Sequence, residues 1–322
     1  MTVTIEVHLT ADYLSQSLRR DVKEGLTSTP KSLPPKWFYD ADGSVLFERI
    51  TALPEYYPFR AEREILADRA AEIAATTQAR TLIELGSGSS EKTRLLLDAL
   101  REAGTLHDMV PLDVSESALR EAAEAIAADY PGLRVHGVVA DFTAHMDRID
   151  GDEPRLVAFL GSTIGNLPPD ERARFLSEVR DVLDTGEWLL LGADLVKSPD
   201  VLLRAYDDAQ GVTAEFNRNV LRVLNRELGA DFDVSAFEHV AVWDPEHEWI
   251  EMRLRATEDM AVTVPELGLD VRFAKGEEMR TEISTKFRPE VIEGELAKAG
   301  FEQTSRWTDA AGRFSLVLAR AV

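Results

Sequence analysis

Between residues 81 and 194, short apolar runs recur, each ending on glycine or aspartate and separated by helix-length amphipathic stretches. No other feature constrains the fold as strongly. Strands joined by such long connections pair in parallel, and a parallel sheet needs cover on both faces. The first run, Thr81-Leu82-Ile83-Glu84-Leu85, opens into Gly86-Ser87-Gly88-Ser89-Ser90, and a helical stretch over 91–103 stops at Gly104. The second, 109–112, ends on Asp113, after which Ser115 caps a helix that Pro131-Gly132 breaks. The third, 134–140, runs into Asp141-Phe142. The fourth, 156–160, is almost wholly apolar and ends on Gly161, and the fifth, 188–191, ends on Gly192-Ala193-Asp194. This alternation predicts βαβ units and a parallel sheet.

From Ser198-Pro199 the pattern changes. Two helices broken at Gly211 precede short alternating strands over 237–243, 249–255, 260–264 and 279–287. A helix bounded by Pro289 and Gly300 follows, and strands over 301–308 and 313–319 flank the turn Asp309-Ala310-Ala311-Gly312. The expected fold is α/β: a doubly wound sheet over 60–196, completed by 287–322, with a smaller α+β domain made from 1–59 and 197–286.

In open α/β sheets, ligands bind beyond the carboxyl ends of the strands. Here those ends carry Gly86, Asp113, Asp141-Phe142 and Gly161. Glycine lets backbone approach a ligand, an acid closing the second strand suits a ribose diol, and Asp141 with Phe142 suits an adenine amine and its ring. A dinucleotide fingerprint needs a third glycine at position 91, where Glu91 stands instead. A carboxylate there opposes a pyrophosphate but suits a ligand bearing a sulfonium and an ammonium. Glu91-Lys92-Thr93 also lacks the glycine that a P-loop places before its lysine. The plain alternative is a set of ordinary strand-end turns.

Composition narrows the partners. The net charge of −22 repels nucleic acid and anionic membranes. No apolar run approaches the ~18 residues of a membrane span, and residues 1–12 lack the blocks of a signal peptide. A cytoplasmic monomer acting on a small molecule is the expectation. With no cysteine there are no thiolate sites, and the six histidines show no zinc-ligand spacing, so no metal is expected.

Longer blocks carry a resemblance. Thr29-Pro30-Lys31-Ser32-Leu33-Pro34-Pro35-Lys36-Trp37-Phe38-Tyr39-Asp40 is one, and Leu53-Pro54-Glu55-Tyr56-Tyr57-Pro58 a second. Phe159-Leu160-Gly161-Ser162-Thr163-Ile164-Gly165-Asn166-Leu167, Ala205-Tyr206-Asp207-Asp208 and Gly276-Glu277-Glu278-Met279 continue it, and Glu282-Ile283-Ser284 and Lys286-Phe287-Arg288-Pro289 complete it. Together these resemble the actinobacterial histidine Nα-methyltransferases of ergothioneine biosynthesis. The resemblance implies a class I methyltransferase fold, S-adenosylmethionine as donor, and three methyl transfers to the α-amino group of histidine, giving hercynine. It implies that Gly86, Lys92, Asp113, Asp141 and Phe142 hold the donor. Tyr56, Gly161, Asn166, Tyr206, Met252, Glu282 and Ser284 would hold histidine, with Tyr39 near the amine. Leu112, Arg253 and Thr285 depart from the family pattern, at none of these positions.

The residues make chemical sense independently. Glu282 and Ser284 are two apart in an alternating strand and so share a face, and a carboxylate beside a hydroxyl matches an imidazole. The bland reading of that pair is a solvated strand face, and that of Met252 is core. Tyrosine rings suit a methylated ammonium, though they equally serve as amphipathic packing. The runner-up function is methylation of another amino acid or amine. An apolar substrate would leave Glu282 buried and unpaired.

Overall fold

The computed structural model describes residues 2–88, 90–142, 145–146 and 151–322, so Ser89 of the glycine loop lies outside it. In chain order the strands are β1 (Thr2–Val7), β2 (Thr81–Leu85), β3 (Asp108–Asp113), β4 (Arg134–Val139), β5 (Arg155–Phe159) and β6 (Trp188–Asp194). Next come β7 (Phe237–Asp244), β8 (Trp249–Ala256), β9 (Met260–Val264), β10 (Leu269–Phe273) and β11 (Glu278–Thr285), then β12 (Phe301–Thr308) and β13 (Phe314–Ala321). The chain forms two compact units. The first comprises Met1–Leu9, Pro58–Val196 and Lys286–Val322, and the second Thr10–Tyr57 and Lys197–Thr285.

The first unit is built on one sheet in the order β1-β4-β3-β2-β5-β6-β13-β12. All neighbours from β1 to β6 are parallel, while β13 inserts antiparallel between β6 and β12. The two winding directions part between β2 and β5, the switch point where such sheets bind ligands. β2 and β5 are buried along their whole length, as their unbroken apolar runs require. The core includes Ile83, Leu85, Val110, Leu112, Val157, Phe159, Phe175, Leu189 and Val317.

The N-terminal segment corrects the expected boundary. Residues 1–59 had been expected to lie together in the smaller domain, but Thr2–Val7 pairs in parallel with Arg134–Val139 as an edge strand of the large sheet. Thr2, Thr4 and Glu6 alternate with Val3, Ile5 and Val7 in this segment, a pattern that fits a half-covered edge strand.

The second unit holds a three-stranded antiparallel sheet, β11-β8-β7, and the hairpin β9-β10. Helices Ala11–Thr27, Ala41–Thr51, Pro199–Tyr206 and Val212–Leu228 complete it. β10 did not stand out in the sequence. β11 ends at Thr285, and Phe287, expected within the same strand, instead bridges Leu195 in the first unit's own backbone.

Candidate active site

The functional side chains fall into two groups, one on each unit. On the first unit, Gly86 and Gly88 follow β2 with φ of 69° and 49°, and a Cβ at either would meet nothing within 4 Å. Beside them the Ser87 hydroxyl is buried without a hydrogen-bond partner among the described residues. An open backbone cradle next to an orphaned hydroxyl fits a polar ligand, because a buried polar group without a partner is costly. Asp113, closing β3, accepts from the Gly88 N–H and the Ser115 N–H, each at 2.9 Å. Burial pushes its carboxyl above the ordinary 3.8, against the lowering effect of N–H groups from Ser115, Gly88 and Val114.

Glu84, one residue before the end of β2, is buried. It accepts from the Ser90 hydroxyl at 2.8 Å and from the Thr93 hydroxyl, so it ties the loop to the helix Thr93–Glu102. Burial raises its pKa from 4.5 to about 7, opposed by those hydroxyls and by Lys92. Phe142 sets its edge against Phe159 and Phe175, with ring centroids 5.1 and 5.6 Å away. Asp141 stands next to it, and its carbonyl accepts from the His145 N–H at 3.0 Å.

Lys92 is held by Glu62, a residue the sequence reading missed. Glu62 is fully buried on the helix Tyr57–Thr77 and also accepts from the Gly161 N–H at 2.9 Å. Gly161 thus has its N–H engaged, while the residue itself stays exposed. Asn166 ends the single turn Thr163–Asn166 that follows β5 and is half-buried. With Gly161 it therefore belongs to the same unit as the glycine loop, whereas Tyr56, Tyr206, Met252, Glu282 and Ser284, also expected to hold the substrate, are on the second unit. A signal for Glu62 was present. It shares the stripe of Leu66, Ala70 and Ile73, and an acid on an apolar stripe needs a reason.

On the second unit, Tyr39, Tyr56 and Tyr206 join a set of rings, and Met252, Glu282 and Ser284 lie on β8 and β11. Tyr39 lies edge-on to Phe47 and Phe216 at 5.6 and 5.4 Å, and Tyr56 meets Phe47 at 6.2 Å and Tyr206 at 6.4 Å. Phe47 and Phe216 were not singled out in the sequence. The Tyr206 and Ser284 hydroxyls are 2.7 Å apart, so two residues expected to act separately form one hydrogen-bonded pair. Glu282 lies directly across from Met252 in the β11–β8 register, and both are buried. The solvated-face reading of Glu282 and Ser284 therefore fails.

Behind Tyr206 lies a polar network that the sequence did not reveal. His239 donates from Nε2 to the Tyr206 carbonyl at 2.7 Å, which leaves Nδ1 to accept from Asn217 Nδ2 at 2.8 Å. Asn217 Oδ1 in turn accepts from the Thr281 hydroxyl at 2.6 Å. Burial holds the His239 pKa below its usual value, against the Tyr206 carbonyl and Asp207, and so favours this neutral tautomer. Arg253 pairs with Glu251 and Glu278, each at 2.6 Å, on the strand face opposite Met252. Its departure from the family pattern leaves the ring cluster untouched.

A family model described as histidine-specific methyltransferase, SAM-dependent, matches residues 18–321. The chain is 59% identical over 319 residues to the Histidine N-alpha-methyltransferase of Mycolicibacterium smegmatis, covering 99% of each. The chain belongs to the SAM-dependent histidine-specific methyltransferases. Identity to the Histidine N-alpha-methyltransferase of Mycobacterium tuberculosis is 56% over 319 residues, again 99% of each. Ergothioneine biosynthesis protein 1 of Neurospora crassa is 32% identical over 314 residues, 95% of this chain and 34% of that protein. Its membership makes the large doubly wound sheet a class I methyltransferase sheet, with the glycine loop after β2 at its switch point.

Proposed function

We propose that this protein transfers methyl groups from S-adenosylmethionine to the α-amino nitrogen of free L-histidine, three times in succession, yielding hercynine for ergothioneine biosynthesis. The observation that carries the substrate is Glu282, a buried carboxylate across from Met252 and two residues before Ser284 of the Tyr206–Ser284 hydroxyl pair. A buried carboxylate keeps several acceptor lone pairs, and an imidazole N–H is a donor that suits them alongside the contacts the protein itself supplies. Near full-length identity to proteins named for this reaction supports the same reading.

In this reading the first unit binds the donor. Asp113 receives the ribose hydroxyls, Asp141 and Phe142 the adenine, and the Gly86 loop with Lys92 the amino-acid end. When bound, S-adenosylmethionine supplies a methyl group already activated by its sulfonium, so no strong base is required. The chain binds, orients and excludes water. On the second unit Tyr206 donates to the substrate carboxylate, Met252 packs against the imidazole, and Tyr39 positions the amine. A peptide α-amino group releases its proton near pH ~8, and the carboxylate of the free amino acid pushes that value up, so the neutral nucleophile is a minor but accessible form at neutral pH. The rings of Tyr39 and Tyr56 suit the growing positive charge of the methylated product. The reading includes a metal-free, monomeric, cytoplasmic enzyme without nucleic-acid partners. Among the described residues no helix is long and apolar enough to cross a membrane.

The test is incubation with S-adenosylmethionine and each amino acid in turn, with product masses read. Histidine alone should gain three methyl groups, and histidinamide, which lacks the carboxylate, should react far more slowly. Equal trimethylation of another amino acid would replace this substrate with the broader reading of an amino-acid N-methyltransferase.

A further inference from the structure

Glu62 has no exposed surface, and a carboxylate is retained out of water only where charge and hydrogen bonds compensate its lost hydration. Three segments of the first unit supply that compensation. Lys92, from the loop after β2, pairs with it, and the Gly161 N–H beyond β5 donates to both of its oxygens at 2.9 Å. β6 makes room for it, since a Cβ on Gly192 would lie 2.0 Å from Glu62 Oε1. A purely structural ion pair would bury both partners. Here the lysine side chain keeps 14% of its surface exposed while the glutamate has none. An ammonium has three donors, and Glu62 does not use all of them. Phe59 lies 5.1 Å from the ammonium, so the lysine is held from two sides beside the exposed Gly161.

We propose that Glu62 is a positioning residue, anchored by the Gly161 N–H, that fixes the Lys92 ammonium so that it faces the carboxylate at the amino-acid end of the methyl donor. The proposal rests on the donor assigned above. Glu62→Gln keeps the size and an acceptor for Gly161 but removes the charge that aims Lys92. Calorimetric titration should show S-adenosylhomocysteine binding about tenfold more weakly, the size of one misaligned charge-assisted hydrogen bond. Binding of 5′-methylthioadenosine, the same nucleoside without the amino-acid end, should be unchanged. Glu62→Asp should recover part of the loss. Adding Glu62→Gln to Lys92→Met should cost nothing beyond Lys92→Met alone, because residues acting through one another are not additive.

Equal weakening of both ligands, no weakening of S-adenosylhomocysteine, or full additivity with Lys92→Met would each overturn the positioning role. If Glu62→Gln does not fold, Glu62→Asp carries the same two-ligand comparison. Native protein that binds S-adenosylhomocysteine tightly while Glu62→Gln is unaffected overturns this role alone. Native protein that binds neither ligand overturns the donor assignment on which it rests.

Discussion

A carboxylate can serve a ribose diol only if its own anchors leave lone pairs free, and the few backbone N–H groups on Asp113, from Gly88, Ser115 and Val114, leave part of its four lone-pair sites open. Asp113→Ala should weaken S-adenosylmethionine binding by about 1.5–3 kcal/mol, the range for hydrogen bonds to a charged group. Calorimetry showing unchanged affinity would remove the residue from the donor site. Glu282 sets the corresponding condition for the substrate. Glu282→Ala should lower kcat/KM for histidine by roughly 10- to 100-fold, one charge-assisted hydrogen bond, and narrow the gap to apolar aromatic amino acids. The readout is competition between histidine and tryptophan on native and variant protein. An unchanged ratio would mean that Glu282 does not read the imidazole.

At the scale of elements, the helix Val212–Leu228 is the one whose placement matters most to the second unit. Along it lie Phe216 of the ring cluster, Asn217 behind Tyr206, and Asn219, which donates to the Phe38 carbonyl at 3.2 Å and to Asp40 at 2.7 Å. Its start is held by Asp208, which accepts from the N–H groups of Gln210, Val212 and Thr213 at 3.0, 3.1 and 2.7 Å. Burial alone would raise the Asp208 pKa, but those donors hold it below the ordinary 3.8. A depressed carboxylate pKa stabilises the fold above the unfolded value, and that contribution is lost as pH falls through the folded one. Asp208→Ala should cost about 0.5–2 kcal/mol at neutral pH, the usual range for a lost helix cap. In urea unfolding the difference from native should shrink below pH ~4.

For the molecule as a whole, the same linkage runs in the opposite direction at Glu84. Its pKa is raised from 4.5 to about 7, so its stabilising contribution is complete below 4.5 and disappears as pH climbs through 7. By pH 8 the native protein has lost roughly 3 kcal/mol of stability relative to pH 4 through this group, the size of the shift from 4.5 to about 7. Glu84→Gln has nothing to titrate there. Its stability relative to native protein should therefore rise between pH 4.5 and 7 and then level off, as followed by thermal unfolding. A difference that stays flat from pH 4 to 8 would show that the carboxyl does not titrate in that range.

The parallel sheet was legible because strands buried on both faces must be apolar throughout, so β2, β5 and their glycine ends announced themselves. Asp113 and Asp141 were legible for a related reason, since the chemistry of such a sheet is confined to strand ends and their positions follow from strand length. The antiparallel texture after residue 197 was equally plain from its short alternating runs. Tertiary structure decided what depended on partners distant in sequence. Thr2–Val7 is short and half polar, and only pairing with β4 made it a strand of the large sheet rather than part of the smaller unit. The Tyr206–Ser284 pair closes over 78 residues, and the Lys92–Glu62 pair over 30. Local periodicity assigns a residue to a face but cannot say which buried charge waits opposite it. Where the Lys92 ammonium sits was therefore decided by Glu62, whose own burial is tolerable only because the fold brings Lys92 and Gly161 to it.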